Sequence, residues 1–394
     1  MWMQQLASQA KANRSPAQLK LAIEVRKLWM VYEAGKAQER GVLLAAVIDA
    51  LSRDKALLRM EGMAENLLDA PKLCGALVPL LESELSAPAG GDGRAATVAG
   101  RLAEPRVETA LILVSLLARN PAYVGMVSSG GALPLLARVL HELGVERSSI
   151  APPAAAGQLE RAESSLASAV DTLKVATSHK FAVAVLTGAS GRMGGGSGGT
   201  ALARLFALLH CKDAELGADS PPAWPPAVDL QRFAREVVLR VVANMEPSTA
   251  KYLHARGCVH HVVSAVQAAA DTNEFASPDA RLAAVALTEL VTAMLVAQSQ
   301  AEGVWPQLLQ DFGEAHGYEA FAALACAGSA AGRSAPSRDV AAAAVATVSG
   351  LVGASARFRH VEALRCLLQI FRDCRAGVLR EQILKELHGC LEGS

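Results

Sequence analysis

Apolar positions recur at helical spacing along most of this chain, and strict alternation of the kind a strand needs is scarce. The pattern is clearest in Val107–Glu142, VETALILVSLLARNPAYVGMVSSGGALPLLARVLHE. This stretch reads as an apolar helix, a short polar break, a Gly-Gly corner and a second apolar helix. The same grammar returns in Phe233–Ala268, FAREVVLRVVANMEPSTAKYLHARGCVHHVVSAVQA. With Gly131 laid on Gly257, Val127 meets Leu253, Leu133 meets Val259, Leu136 meets Val262 and Leu140 meets Val266. Units that bury an apolar face only against their neighbours make a helical solenoid.

The rest of the chain follows suit. Ser15–Ala34 opens on a Ser-Pro pair suited to a helix start, and Leu19, Ile23, Leu28 and Val31 fall near one face. Helices are expected over Glu39–Leu51, over Ala56–Leu68 and from Pro71, the last with Leu73, Leu77, Leu80 and Leu81 inward. Long helices are expected at Leu159–Leu186 and Ala280–Gln298. In the second of these, Leu282, Val285, Leu290, Val291 and Leu295 supply the core face. Trp305–Leu324 reads as the second half of that repeat, with His316-Gly317-Tyr318 at its corner. Val340–Phe371 gives another helix pair, and Val378–Leu391 a helix with no partner after it. Stretches rich in Ala, Gly and Pro near 86–104, 148–157, 188–200, 216–226 and 328–337 read as loop insertions.

Composition agrees with an all-α chain: aromatic residues are 4% and charged residues 19%, and small and medium aliphatics fill the apolar positions. With 38 basic and 38 acidic residues, global charge gives no support to a nucleic-acid binder. Seven scattered cysteines form no disulfide framework and suit a reducing compartment. No run is long and apolar enough to span a bilayer. The first 40 residues carry seven Lys/Arg against three acids and are faintly transit-like. They also admit a peripheral contact with a membrane surface.

Candidate chemistry is sparse. Val183–Gly194, VAVLTGASGRMG, contains a G-x-x-G-x-x-G pattern at Gly188, Gly191 and Gly194, similar to the dinucleotide-binding turns of short-chain dehydrogenases, with Asp213 near the distance of a ribose-binding acid. A nucleotide-binding oxidoreductase using Gly188–Gly194 is therefore one alternative. Against it, the glycines run on into GGGSGG, a linker composition, and no alternation of strand and helix follows. Of Tyr32, Tyr123, Tyr252 and Tyr318 only Tyr32 has a lysine four residues later, Lys36, and that pair lies some 150 residues ahead of the glycines. His254, Cys258, His260 and His261 are the densest set of potential metal ligands, but they bracket the Gly257 corner and lack a completing pair. Cys366 and Cys374 lie about 12 Å apart along one helix, too far for a disulfide. His179, His210 and Cys211 have no acid or serine at catalytic spacing.

The helix–corner–helix units resemble armadillo repeats. Trp305–Gly328 (WPQLLQDFGEAHGYEAFAALACAG) and His360–Ser394 (HVEALRCLLQIFRDCRAGVLREQILKELHGCLEGS) resemble the armadillo-like region of BEACH-domain proteins of the autophagy-linked FYVE and neurobeachin type. The shared elements are the Gly317-Tyr318 corner and the rhythm of Glu362, Ala363, Leu364, Leu367, Leu368 and Phe371. The resemblance implies a cytoplasmic scaffold in membrane trafficking or selective autophagy, peripheral to endomembranes. The chain would be a segment of such a protein or a stand-alone relative.

The expectation is an all-α armadillo/HEAT-like right-handed superhelix over residues 1–394, acting as a non-enzymatic protein-binding scaffold with no cofactor, no metal and no nucleic acid. Partner proteins would lie along its concave surface. Arg138, His141 and His260, polar residues on second helices, are the candidate contacts. A peripheral membrane adaptor led by the N-terminal helix is the other alternative.

Overall fold

A computed structural model describes residues 16–58, 68–86, 97–149, 152–187, 197–208, 228–243, 245–272, 275, 278–297, 303–330, 338–354, 360–374 and 376–392. Among them the chain is all-α. The only β feature among the described residues is a single antiparallel bridge, Val296 to Val304. The chain divides into two compact units, Met1–Val185 and Leu186–Ser394.

In the first unit the helices are α1 (Pro16–Ala34), α2 (Arg40–Ser52), α3 (Lys55–Leu58), α4 (Ala70–Ser86), α5 (Val98–Leu102), α6 (Pro105–Arg119), α7 (Pro121–Ser129), α8 (Ala132–Ser149) and α9 (Pro152–Ala176), followed by α10 (Lys180–Leu186) at the division. In the second they are α11 (Ser197–Ala207), α12 (Val228–Ala243), α13 (Pro247–Ala255), α14 (Cys258–Thr272), α15 (Pro278–Leu295), α16 (Pro306–Glu314), α17 (Gly317–Ala330), α18 (Arg338–Gly353), α19 (Val361–Asp373) and α20 (Gly377–Glu392).

One local design occurs three times. A long helix is followed by a nine-residue helix with proline at its first turn (α7, α13, α16), a left-handed corner residue, and another long helix. Proline suits the first turn because its missing N–H would have no helical partner there. The corners are Gly131 (φ 91°), Gly257 (φ 60°) and His316 (φ 58°). Each stands at the same distance from its opening proline, Pro121, Pro247 or Pro306. The aligned apolar positions are all buried: Val127, Leu133, Leu136 and Leu140 in one unit, Leu253, Val259, Val262 and Val266 in the other. In the third repeat the matching positions hold Phe312, Phe321 and Ala325, which are buried, and Tyr318, which is half-buried. A fully buried Val, Leu or Phe side chain contributes roughly 1.5–3 kcal/mol.

In the second unit corresponding helices pack on one another. α12 lies on α15 and α15 on α18, α13 on α16, and α14 on α17, which meets α19. In the first unit α2 and α9 both pack on α6, while α4 lies against α6 and α7.

Several elements differ from the sequence expectation. α1 buries Ala22, Val25 and Trp29, whereas Val31 is exposed and Leu19, Ile23 and Leu28 are half-buried. The face is rotated because Trp29, stacked on Tyr32 at 4.7 Å, takes the core position. On α15, Leu282 is exposed and Val285 half-buried; Ala283, Leu287, Leu290, Val291 and Met294 form the buried stripe. The helix expected over Leu159–Leu186 is two helices. Thr177 Oγ1 donates to the carbonyls of Leu173 (2.8 Å) and Lys174 (3.1 Å), local bonds that go with the end of α9.

The loop expected at 148–157 shrinks, because α8 runs to Ser149 and the Pro- and Ala-rich stretch starts α9 at Pro152. Within 86–104, Thr97 caps the short helix α5 by accepting from Gly100 N at 3.0 Å. The 328–337 loop loses its first residues to α17, and the 188–200 loop its last to α11. The 216–226 loop lies outside the described residues. α20, for which the sequence offers no following helix, packs on the preceding α18 and α19.

Candidate interaction surface

The positions three, seven and ten residues after each corner share one strip of the long helix that follows, at the i, i+4, i+7 spacing of a single face. In α14 they are His260, Ser264 and Gln267; in α17, Glu319, Ala323 and Cys326; in α8, Pro134, Arg138 and His141. Ser264 and Glu319 are exposed and the other seven half-buried. The three candidate contacts thus fall at equivalent positions of their helices. α14 packs on α17 and α17 on α19, so in the second unit the strip of His260 adjoins that of α17. Arg138 and His141 belong to the first unit.

Local electrostatics differ between these positions. Arg138 Nε lies 3.7 Å from Glu142 Oε1, within ion-pair range but beyond a hydrogen bond, and is closed off from solvent without a hydrogen-bond acceptor. His260 Nδ1 is also enclosed without a partner. An enclosed polar atom of this kind costs free energy.

Sequence reading missed the polar clamps that join helices. In the first unit Arg106, on α6, donates from Nε and Nη2 to the two oxygens of Asp49 on α2, both at 2.8 Å. Its Nη1 donates to Glu84 on α4 at 2.7 Å. The Arg106 hydrogen bond holds the Asp49 carboxyl below its usual range, and the Asp49 and Glu84 hydrogen bonds push the guanidinium up. Lys55 pairs with the buried Glu108. Ser115 Oγ donates to Asp171 on α9 at 2.6 Å, and Arg119 joins the same carboxylate. In the second unit His254 of α13 meets the buried Asp311 of α16 at 2.9 Å. Partners 22 to 57 residues apart leave no local spacing signal in a sequence.

The remaining candidates do not converge. Among the described residues no group of three or more His, Cys, Asp or Glu is placed to hold a metal ion. His254 is engaged by Asp311, and Cys258 is buried in the first turn of α14. Cys366 and Cys374 are buried and free. Cys366 Sγ donates to Tyr318 O at 3.2 Å, and burial pushes its thiol up to about 12. Burial likewise raises the Cys74 thiol to about 11. Gly188–Gly194, His210, Cys211 and Asp213 lie outside the described residues. The apolar run ahead of the glycines, Val183–Leu186, belongs to α10 and is helical. Among the described residues no single helix is long and apolar enough to cross a membrane; α7 and Ala132–Gly144 of α8 are long and apolar enough only together, and the pair is bent by 66°.

No protein-family model matches the chain, and no curated protein is similar enough to count as a relative.

Proposed function

We propose that this protein is a non-enzymatic scaffold built as an armadillo-like α-solenoid, which binds protein partners over the outward strips of its third helices. The observation that carries the reading is the packing of like on like in the second unit. First helices α12, α15 and α18 stack in order, short helices α13 and α16 pair, and α14, α17 and α19 follow one another. Nearest-neighbour stacking of this kind sets successive third helices side by side and makes an extended surface. The strip of α14 and α17 mixes imidazole, hydroxyl, amide, carboxylate and small apolar groups, which suits many modest contacts.

The resemblance to the armadillo-like region of BEACH-domain proteins extends the proposal to a cytoplasmic scaffold in membrane trafficking or selective autophagy. The test has two arms. Small-angle scattering of the purified chain should give an elongated particle, and a compact one would sink the solenoid. Proximity labelling in cells should then return partners that are lost together in Ser264→Arg and Ala323→Arg variants of unchanged helicity. Partner sets unaffected by both substitutions would remove the third-helix surface from the proposal.

A further inference from the structure

α1 has an outward face that mixes lysines with large apolar side chains. Lys20, Lys27, Met30 and Val31 all project from it, at a spacing that keeps them within one side of the helix. Both lysines are exposed, Met30 is 58% exposed and Val31 53%. The opposite side, Ala22, Val25 and Trp29, is buried against the rest of its unit. Two large apolar side chains in water beside two lysines are not required by the packing of α1.

The charge of this face is one-sided. The acids of α1 are Glu24 and Glu33, and each is neutralised from another element: Arg53 donates to Glu24 at 2.8 Å and Lys72 to Glu33 at 2.8 Å. Lys20 and Lys27 enter no ion pair with a described residue. The outward face is therefore cationic, with apolar side chains among the charges.

We infer that the outward face of α1 is a docking surface for an anionic lipid bilayer. Met30 and Val31 enter the boundary between headgroups and acyl chains, and Lys20 and Lys27 lay their methylene stems along it with the ammonium groups at the lipid phosphates. A bilayer satisfies both the lysines and the apolar side chains. An acidic protein with an apolar patch is the occupant that absence of vesicle binding would leave. The inference is independent of the third-helix surface.

The test is co-sedimentation of the full chain with vesicles of phosphatidylcholine alone or mixed with phosphatidylserine. Binding is expected only to the mixed vesicles and should weaken as salt rises. Lys20→Ala and Lys27→Ala should each weaken it about fivefold, and the pair roughly twenty-five-fold. Met30→Ser with Val31→Ser should weaken it several-fold at unchanged charge. All four positions are on the surface, and circular dichroism checks that helicity is kept. No binding to mixed vesicles, equal binding to neutral ones, or full binding by either double variant would overturn the inference.

Discussion

His254 Nδ1 lies 2.9 Å from both carboxylate oxygens of Asp311, so one ring nitrogen joins two consecutive short helices. The two ends of the contact are unequal: the histidine side chain is 46% exposed and the carboxylate 6%. The acid is thus the group that suffers when the contact is broken. His254→Ala should destabilise the protein by about 1–3 kcal/mol, the cost of a buried polar group left without its partner. Asp311→Asn keeps an acceptor and should cost less. Urea denaturation of the two variants checks the order, and a His254→Ala protein as stable as the parent would dismiss the clamp.

Gly317 is fixed by a neighbour. A Cβ at this position would collide with the ring of Phe312, which is fully buried and packed edge-on to Tyr318 (4.9 Å) and Phe321 (5.6 Å). The ring has nowhere to retreat, so Gly317→Ala should lower stability by about 1–3 kcal/mol through overpacking. The double variant Gly317→Ala, Phe312→Leu should recover part of that loss. If the single substitution is neutral in thermal unfolding, the packing argument fails.

The three corners give an internal comparison. Gly131 and Gly257 have room for a Cβ, so their constraint is the positive φ alone. His316 accepts the same left-handed backbone as an L-residue, on the surface. Gly131→Ala and Gly257→Ala should each cost about 1–2 kcal/mol, the penalty for a side chain in this region. His316→Gly should be neutral or stabilising by up to about 1 kcal/mol, since relief of strain offsets the greater freedom of the unfolded glycine. Opposite signs would show that His316 makes contacts that outweigh its backbone strain.

These corners also explain which parts of the fold were legible in the sequence. Gly131 and Gly257 are read directly, because a left-handed turn favours glycine and the flanking apolar positions repeat around it. The third corner is blurred: histidine takes the turn, and glycine sits one residue later for a different reason, the Phe312 ring. Faces set by one large side chain are misjudged, as where Trp29 rotates α1 and leaves Val31 outside. At the candidate surface, His260, Arg138 and His141 are found as polar residues on apolar helices, and their equivalent positions appear only when the corners are aligned. Arg106 with Asp49 and His254 with Asp311 could not be read, because tertiary pairing leaves no periodicity.

The Asp49–Arg106 pair carries a pH dependence whose sign is fixed. The hydrogen bond from Arg106 lowers the Asp49 pKa on folding, so the folded state holds the carboxylate charged more readily than the unfolded chain does. The stabilisation is fully present above the unfolded value, near ~3.9, and is lost as pH falls through the lower folded value. Both side chains are partly exposed, at 47% and 35%, so solvent screening limits the contribution to about 1 kcal/mol or less. Urea unfolding of the parent and Asp49→Asn should therefore show a constant gap from neutral pH down to about 4 and a closing gap below it. A gap that widened in acid would mean that the carboxylate is held neutral in the folded state. The clamp of α6 on α2 would then be a hydrogen bond to an acid, with no ion pair to lose.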